Sequence, residues 1–195
     1  MNKIYAGLGS RETPKNICNF MAEIAYTLME HDWILRSGGA TGADLAFGNV
    51  IRNRLINKPT EMVKYQEIFL PWDGFSGMIA NPDHGYFIEN NPETEILAKK
   101  YHPVYDTLTK GAKLMMRRNC HQVLGRDLKS PAHMLFCYTA DGSIGKTTEK
   151  TGGTGMAIRI AYDHKIPIFN LAKQDHYKRI HDWINKMDYD PTEEM

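Results

Sequence analysis

The sequence predicts an α/β fold, a three-layer sandwich with a mostly parallel central sheet and helices on both faces. Three observations predict it. Five short apolar runs with strand character alternate with segments whose apolar residues recur at helical spacing, the pattern of a parallel sheet buried on both sides. Glycine-bearing turns stand beside several of those runs, where a strand-to-helix connection needs backbone freedom. A chain of 195 residues with 42% hydrophobic content can bury one good core, so a single domain over 1–187 is expected, followed by a frayed acidic tail over 188–195.

Lys3-Ile4-Tyr5-Ala6-Gly7-Leu8 predicts the first strand, ending at Gly9-Ser10-Arg11. Pro14 stands where its fixed φ suits a first helical turn. Ile17, Phe20, Met21, Ile24, Ala25 and Leu28 then give a helix with one face turned to a core. Trp33-Ile34-Leu35-Arg36 is a second short strand. After the glycine cluster at 38–42, Ala43 to Leu55 is expected to be helical, with Leu45, Ala46, Val50 and Ile51 inward. Glu67-Ile68-Phe69-Leu70-Pro71-Trp72 predicts a third strand that ends at a proline. Asp73 to Pro92 is rich in Gly, Asn, Pro and Asp, which predicts a long loop with short turns of the kind that is usually functional or mobile. Helices follow over Pro92–Tyr101 and Leu108–Leu124, the second holding Leu114, Met115, Val123 and Leu124. His133-Met134-Leu135-Phe136-Cys137-Tyr138 is a fourth strand, and Ala140 to Lys150 is a polar, flexible loop. Gly153 opens a helix carrying Met156, Ala157, Ile160 and Ala161. Ile166-Pro167-Ile168-Phe169-Asn170-Leu171 is a fifth strand, and Tyr177 to Met187 a closing helix.

Charge and cysteine usage narrow the function classes. A net charge of +1 provides no global field to draw the chain onto DNA or a membrane. Cys18, Cys120 and Cys137 are three scattered cysteines without CxxC spacing, which suggests reduced thiols in a cytoplasmic protein and not a disulfide framework or zinc site. The eight histidines have no metal-ligand spacing, so no metal is expected. Met1-Asn2-Lys3 leads straight into a strand-like run, which does not resemble a signal peptide, and no apolar segment is long enough to span a bilayer. A soluble, cytoplasmic protein with no membrane partner is expected.

Ligands of parallel sheets sit beyond the carboxyl ends of the strands, at the switch point. Several segments converge on that edge. In Gly9-Ser10-Arg11, backbone amides and the Ser10 hydroxyl can bind a phosphate and Arg11 can fork onto two oxygens; the plainer reading is a strand-ending turn with a solvated arginine. Ser37-Gly38-Gly39-Ala40-Thr41-Gly42-Ala43-Asp44 opens the second helix. Its three glycines in five positions exceed the needs of one turn, although close helix–strand packing would also use them. Asp44 suits a helix cap better than a ribose contact. Arg117-Arg118-Asn119 offers phosphate or base contacts, or else an exposed basic face that Arg126 would share. Thr151-Gly152-Gly153-Thr154-Gly155 places helix-start amides and the Thr154 hydroxyl where a phosphate binds. Trp72, Phe75 and Tyr86 flank or occupy the long loop and either stack on a base or anchor the loop. Ala140-Asp141-Gly142-Ser143-Ile144-Gly145-Lys146-Thr147 nearly matches a Walker A loop, but Ala140 replaces the leading glycine. The residues after Thr147 are a poor helix, where that motif requires one, so an ATPase is not expected.

These segments resemble the SLOG superfamily of Rossmann-like proteins. The Gly-Ser-Arg turn, the Ser37–Asp44 segment and Arg118-Asn119 look most like the DprA/Smf branch, and Gly152-Gly153-Thr154-Gly155 looks like the phosphate loop of the LOG phosphoribohydrolases. The resemblance runs from residue 3 to about 171 and implies a Rossmann-like fold that binds nucleotides. LOG enzymes follow their phosphate loop directly with paired glutamates, whereas Gly155 is followed here by Met156-Ala157-Ile158-Arg159. Glu149 precedes the loop and could substitute only from an unusual geometry. No residue is therefore assigned a catalytic role and no cofactor is expected. The resemblance implies a protein that senses or sequesters a phosphate-bearing nucleotide, of the ADP-ribose or cyclic-nucleotide type. The alternatives are a DprA-like binder of single-stranded DNA and a LOG-like hydrolase of nucleoside monophosphates. It also implies a homo-oligomer.

Overall fold

A computed structural model describes residues 3–145, 152–187 and Thr192. Its strands are β1 (Lys3–Gly7), β2 (Trp33–Ser37), β3 (Gln66–Phe69), β4 (Tyr86–Phe87), β5 (Met134–Cys137) and β6 (Ile168–Asn170). They form one six-stranded sheet in the order β4-β3-β2-β1-β5-β6, and every pair is parallel. The helices are α1 (Lys15–Glu30), α2 (Ala43–Arg54), α3 (Glu93–Tyr101), α4 (Lys110–Leu124), α5 (Gly152–Asp163) and α6 (Gln174–Lys186). The fold is Rossmann-like.

Two cores cover the two faces of the sheet. Side chains alternate across a strand, so Tyr5 and Phe136 join α1, α2 and α6 in one core. Their neighbours Ala6, Leu135 and Cys137 join α3, α4 and α5 in the other. A one-residue slip of β1 would turn Tyr5 out of its core and forfeit about 1.5–3 kcal/mol of aromatic burial.

α1 has no side-chain cap, and Pro14 precedes it at φ −56°. Its stability comes from the buried stripe Ile17, Phe20, Met21, Ile24, Ala25, Leu28 and Met29. α2 is rotated from expectation. Phe47 and Ile51 occupy the core, while Leu45, Ala46 and Val50 are only partly buried. Gly7 is the reason: a Cβ there would stand 2.8 Å from the Phe47 ring, so the ring lies directly on the β1 backbone.

Two features depart from the sequence expectation. The stretch after β3 has the short turns expected of it, at Phe75–Gly77 and Pro82–His84, but then an unexpected sixth strand, the two-residue β4. A further 3-10 turn at Tyr105–Thr107 precedes α4. In addition, α4 buries Arg118, Asn119, His121 and Gln122 along with its apolar residues. The end of the Walker-like run, Glu149, Thr151 and the tail apart from Thr192 lie outside the described residues.

The chain reverses direction at β1. From β1 it passes to β2 and β3 on one side of the sheet, and after β5 it continues to β6 on the other. The carboxyl end of β1 is therefore the switch point, where α/β sheets leave a crevice.

Candidate functional site

A cleft of about 380 Å³ opens at this switch point. Its walls are Leu8–Arg11 after β1, Ala40, Thr41 and Asp44 after β2, and Gly152–Thr154 at the start of α5. Phe75 and Ser76 close one side, and Met115, Met116, Arg118, Asn119 and Gln122 of α4 form the floor. Of the residues singled out in the sequence, Gly9, Ser10, Arg11, Ala40, Asp44, Arg118, Asn119, Gly152, Gly153 and Thr154 meet here.

The first turn is knotted at Ser10. Its carbonyl accepts from the Thr13 N–H (3.2 Å) and the Thr13 hydroxyl (2.7 Å). The Ser10 hydroxyl oxygen accepts from the Glu12 N–H at 3.1 Å, which leaves its own proton to donate into the cleft. Arg11 is exposed at the rim.

Asp44 does not cap α2, whose start at Gly42 has no side-chain cap. It ties three elements together. The Gly9 N–H donates to Oδ1 at 3.3 Å, the Ala40 N–H donates to Oδ2 at 3.3 Å, and Arg118 Nη1 donates to Oδ2 at 3.3 Å. Asp44 and Arg118 form a buried ion pair. Burial pushes the Asp44 carboxyl up and the Arg118 guanidinium down, and each charge opposes the shift of the other. A carboxylate that already accepts from three donors is poorly placed to take a further proton from a substrate.

Gly38, Gly39 and Gly42 serve packing and do not line the cleft. A side chain at Gly38 would collide with the Arg118 guanidinium. Gly39 (φ +67°) lies under Met78, and Gly42 (φ +85°) brings its α-carbon so close to the first turn that a Cβ would stand 2.6 Å from the Ser10 carbonyl. Both φ values are in the region that favours glycine. The structural reading of this cluster accounts for its glycines, and Ala40, Thr41 and Asp44 supply the cleft surface.

Five other singled-out residues are not brought to the cleft. Arg117 turns away and donates from Nε to Thr94 Oγ1 at 3.0 Å. Trp72 is 39% exposed and stands perpendicular to Phe75, with centroids 5.1 Å apart. Gly155 is buried within α5. Tyr86 packs in the core on the α1 side. Arg126 lies past the end of α4, paired with Glu89 at 2.6 Å and placed over Phe87.

Sequence reasoning missed Gln122. Its signal was present in the helical spacing of Met115, Arg118 and Gln122, which puts all three on one face of α4. Gln122 is 1% exposed and Arg118 is 8% exposed. Gln122 Nε2 and Arg118 Nε have no hydrogen-bond partner among the described residues. Across the cleft, Asn119 Nδ2 donates to the Gly153 carbonyl at 3.1 Å and fixes the start of α5 against α4. A Cβ at Gly153 would stand 2.9 Å from Met116 and 3.0 Å from Asn119.

Among the described residues, no group of three metal-ligating side chains clusters, and no helix is long and apolar enough to cross a membrane. Cys18, Cys120 and Cys137 are free thiols.

Comparison with known proteins finds no match to any family model, curated protein or solved structure.

Proposed function

We propose that this chain binds a phosphate-bearing nucleotide at the switch-point cleft and senses or sequesters it without cleaving it. The observation that carries this reading is the pair of buried donors on the floor, Arg118 Nε and Gln122 Nε2. A buried donor left without a partner costs about 1–3 kcal/mol. A phosphate is rich in acceptors for such donors, and both side chains line the cleft.

The surrounding chemistry supports the same ligand. The first N–H groups of α5 lie outside the ladder of that helix, and their dipole favours an anion. Arg11 adds a charge at the rim, and Ser10 a hydroxyl. A cleft of 380 Å³ lies near the lower end of the usual range for small-ligand sites, about 300–1,000 Å³, and suits one nucleotide unit. The likeness of its turns to SLOG phosphate loops favours a nucleotide over a simple anion.

The other two readings have less support. DNA binding would use Arg117 and Arg118 as phosphate contacts on an exposed basic face, but Arg117 is bonded to Thr94 and Arg118 lies within the small cleft. Hydrolysis would need an available acid, and Asp44 is the one acidic residue among the described residues of the cleft.

Titration calorimetry against cyclic and linear nucleoside monophosphates and ADP-ribose tests the proposal. Binding of at least one is expected, with the nucleotide recovered intact by chromatography. Release of a free base would move the assignment to a hydrolase. Absence of heat for the whole panel, with single-stranded oligonucleotides bound at low salt, would move it to DNA.

A further inference from the structure

The cleft has two unlike sides, divided by α4. Met116 and Asn119 face Gly153 and the start of α5, the side suited to an anion. Arg118 faces the opposite wall, with its guanidinium carbon 5.9 Å from the centre of the Phe75 ring. We propose that Phe75 is the platform on which the aromatic base of the ligand stacks, so that the cleft recognises a base-bearing phosphate and not a sugar phosphate. This rests on the phosphate reading above and assigns the other half of the ligand.

Three observations support the platform. Phe75 is only partly buried: it packs against the α1-side core and also lines the cleft. Its orientation is fixed from outside: Trp72 meets it at 89° with centroids 5.1 Å apart, and Trp72 in turn rests near Gly111 of α4. The backbone is also bent sharply to present it. Gly74 has φ +80°, Ser76 φ +51° and Gly77 φ +77°, and for Ser76, which carries a Cβ, that conformation is strained. Strain of this kind persists where surrounding structure enforces it and clusters at ligand sites. Here it is enforced by the Gly74 N–H donating to the Met78 carbonyl at 2.9 Å and by the Ala80 N–H donating to Asp73 Oδ1 at 2.8 Å.

A phenyl ring offers stacking and no hydrogen bonds, so this wall admits any base. Arg118 connects the two halves. Its guanidinium carbon lies over the ring at 5.9 Å, and the same side chain lines the cleft floor.

The test compares the nucleoside monophosphates AMP, GMP, CMP and UMP with ribose 5-phosphate, titrated into the wild-type chain and into Phe75→Ala, Phe75→Leu and Phe75→Tyr, each checked for its fold by circular dichroism. The wild type is expected to bind at least one monophosphate well above ribose 5-phosphate. Phe75→Ala should lose roughly 5- to 150-fold in affinity for that nucleotide, the range for base–aromatic stacking. Its affinity for ribose 5-phosphate should be unchanged, and Phe75→Tyr should restore the nucleotide. Should Phe75→Ala fail to fold, Phe75→Leu carries the same expectation of lost nucleotide affinity. Equal wild-type affinity for ribose 5-phosphate and every monophosphate, or full nucleotide affinity in Phe75→Leu, would overturn the platform and leave the phosphate site standing. No binding of any of the five, nor of cyclic nucleotides or ADP-ribose, would overturn both.

Discussion

At the scale of single residues, Asp44 and Gly38 carry more of this site than their chemistry suggests in isolation. Asp44 holds the turns after β1 and β2 to α4 through one carboxylate. Asp44→Ala strands a buried guanidinium, and breaking such a pair costs about 3–5 kcal/mol. A lowered urea midpoint at constant slope is the expected signature. Gly38→Ala adds one methyl group where the Arg118 guanidinium lies. It should displace that side chain and abolish nucleotide binding, as calorimetry would reveal, even where circular dichroism reports a folded chain. The thiols supply a further expectation. Burial pushes Cys120 up to about 12 and raises Cys137 too, so both stay protonated and inert. A thiol reagent applied to the native protein should modify Cys18, which is only partly buried, well before the other two.

At the scale of elements, α4 separates what was legible in the sequence from what was not. Helices and strands with apolar periodicity were readable to within a few residues, because burial of one face sets that period. The buried faces were less readable. Arg118 and Asn119 read as an exposed basic face or a phosphate or base contact, yet the helix lies over the switch point and buries them together with His121 and Gln122. β4 escaped because two residues between Gly85 and a polar run give no alternation to detect. The convergence of the Ser10, Ala40 and Gly153 turns was foreseeable from topology alone, since strand ends of one parallel sheet share an edge. That Gly38 makes room for an arginine eighty positions on was not, because it needs the tertiary fold. α5 yields a prediction at this scale. Gly153→Ala, in the first turn of α5, gains at most the interior helix-propensity difference of about 1 kcal/mol but presses on the end of the Met116 side chain and on Asn119. Stability should stay within about 1 kcal/mol while nucleotide affinity falls, and thermal melts with and without ligand separate the two effects.

At the scale of the whole molecule, acid and ligand act on stability in opposite directions. Burial lowers the pKa of His102, His121 and His176. For His121, burial outweighs its Nδ1–H bond to the Gly125 carbonyl (3.0 Å) and the nearby Glu89, with Arg117 and Arg126 adding to the depression. The unfolded chain therefore binds more protons than the native one as pH falls below about 6.5, and stability declines from there toward the lowered native values. Urea midpoints measured between pH 8 and pH 5 should show this loss. A bound ligand opposes it by about 2.7 kcal/mol at a hundred times Kd. The sheet order also bears on how the molecule is made. β1 is translated before the other strands and ends in the middle of the sheet, paired on one edge with β2 and on the other with β5. β5 lies about a hundred residues after β2, which at ribosomal speed is a delay of roughly 5–20 s. Until it emerges, the nascent chain presents the central strand with one ladder open, and that interval is when it is most exposed to mispairing with a neighbour on the same message.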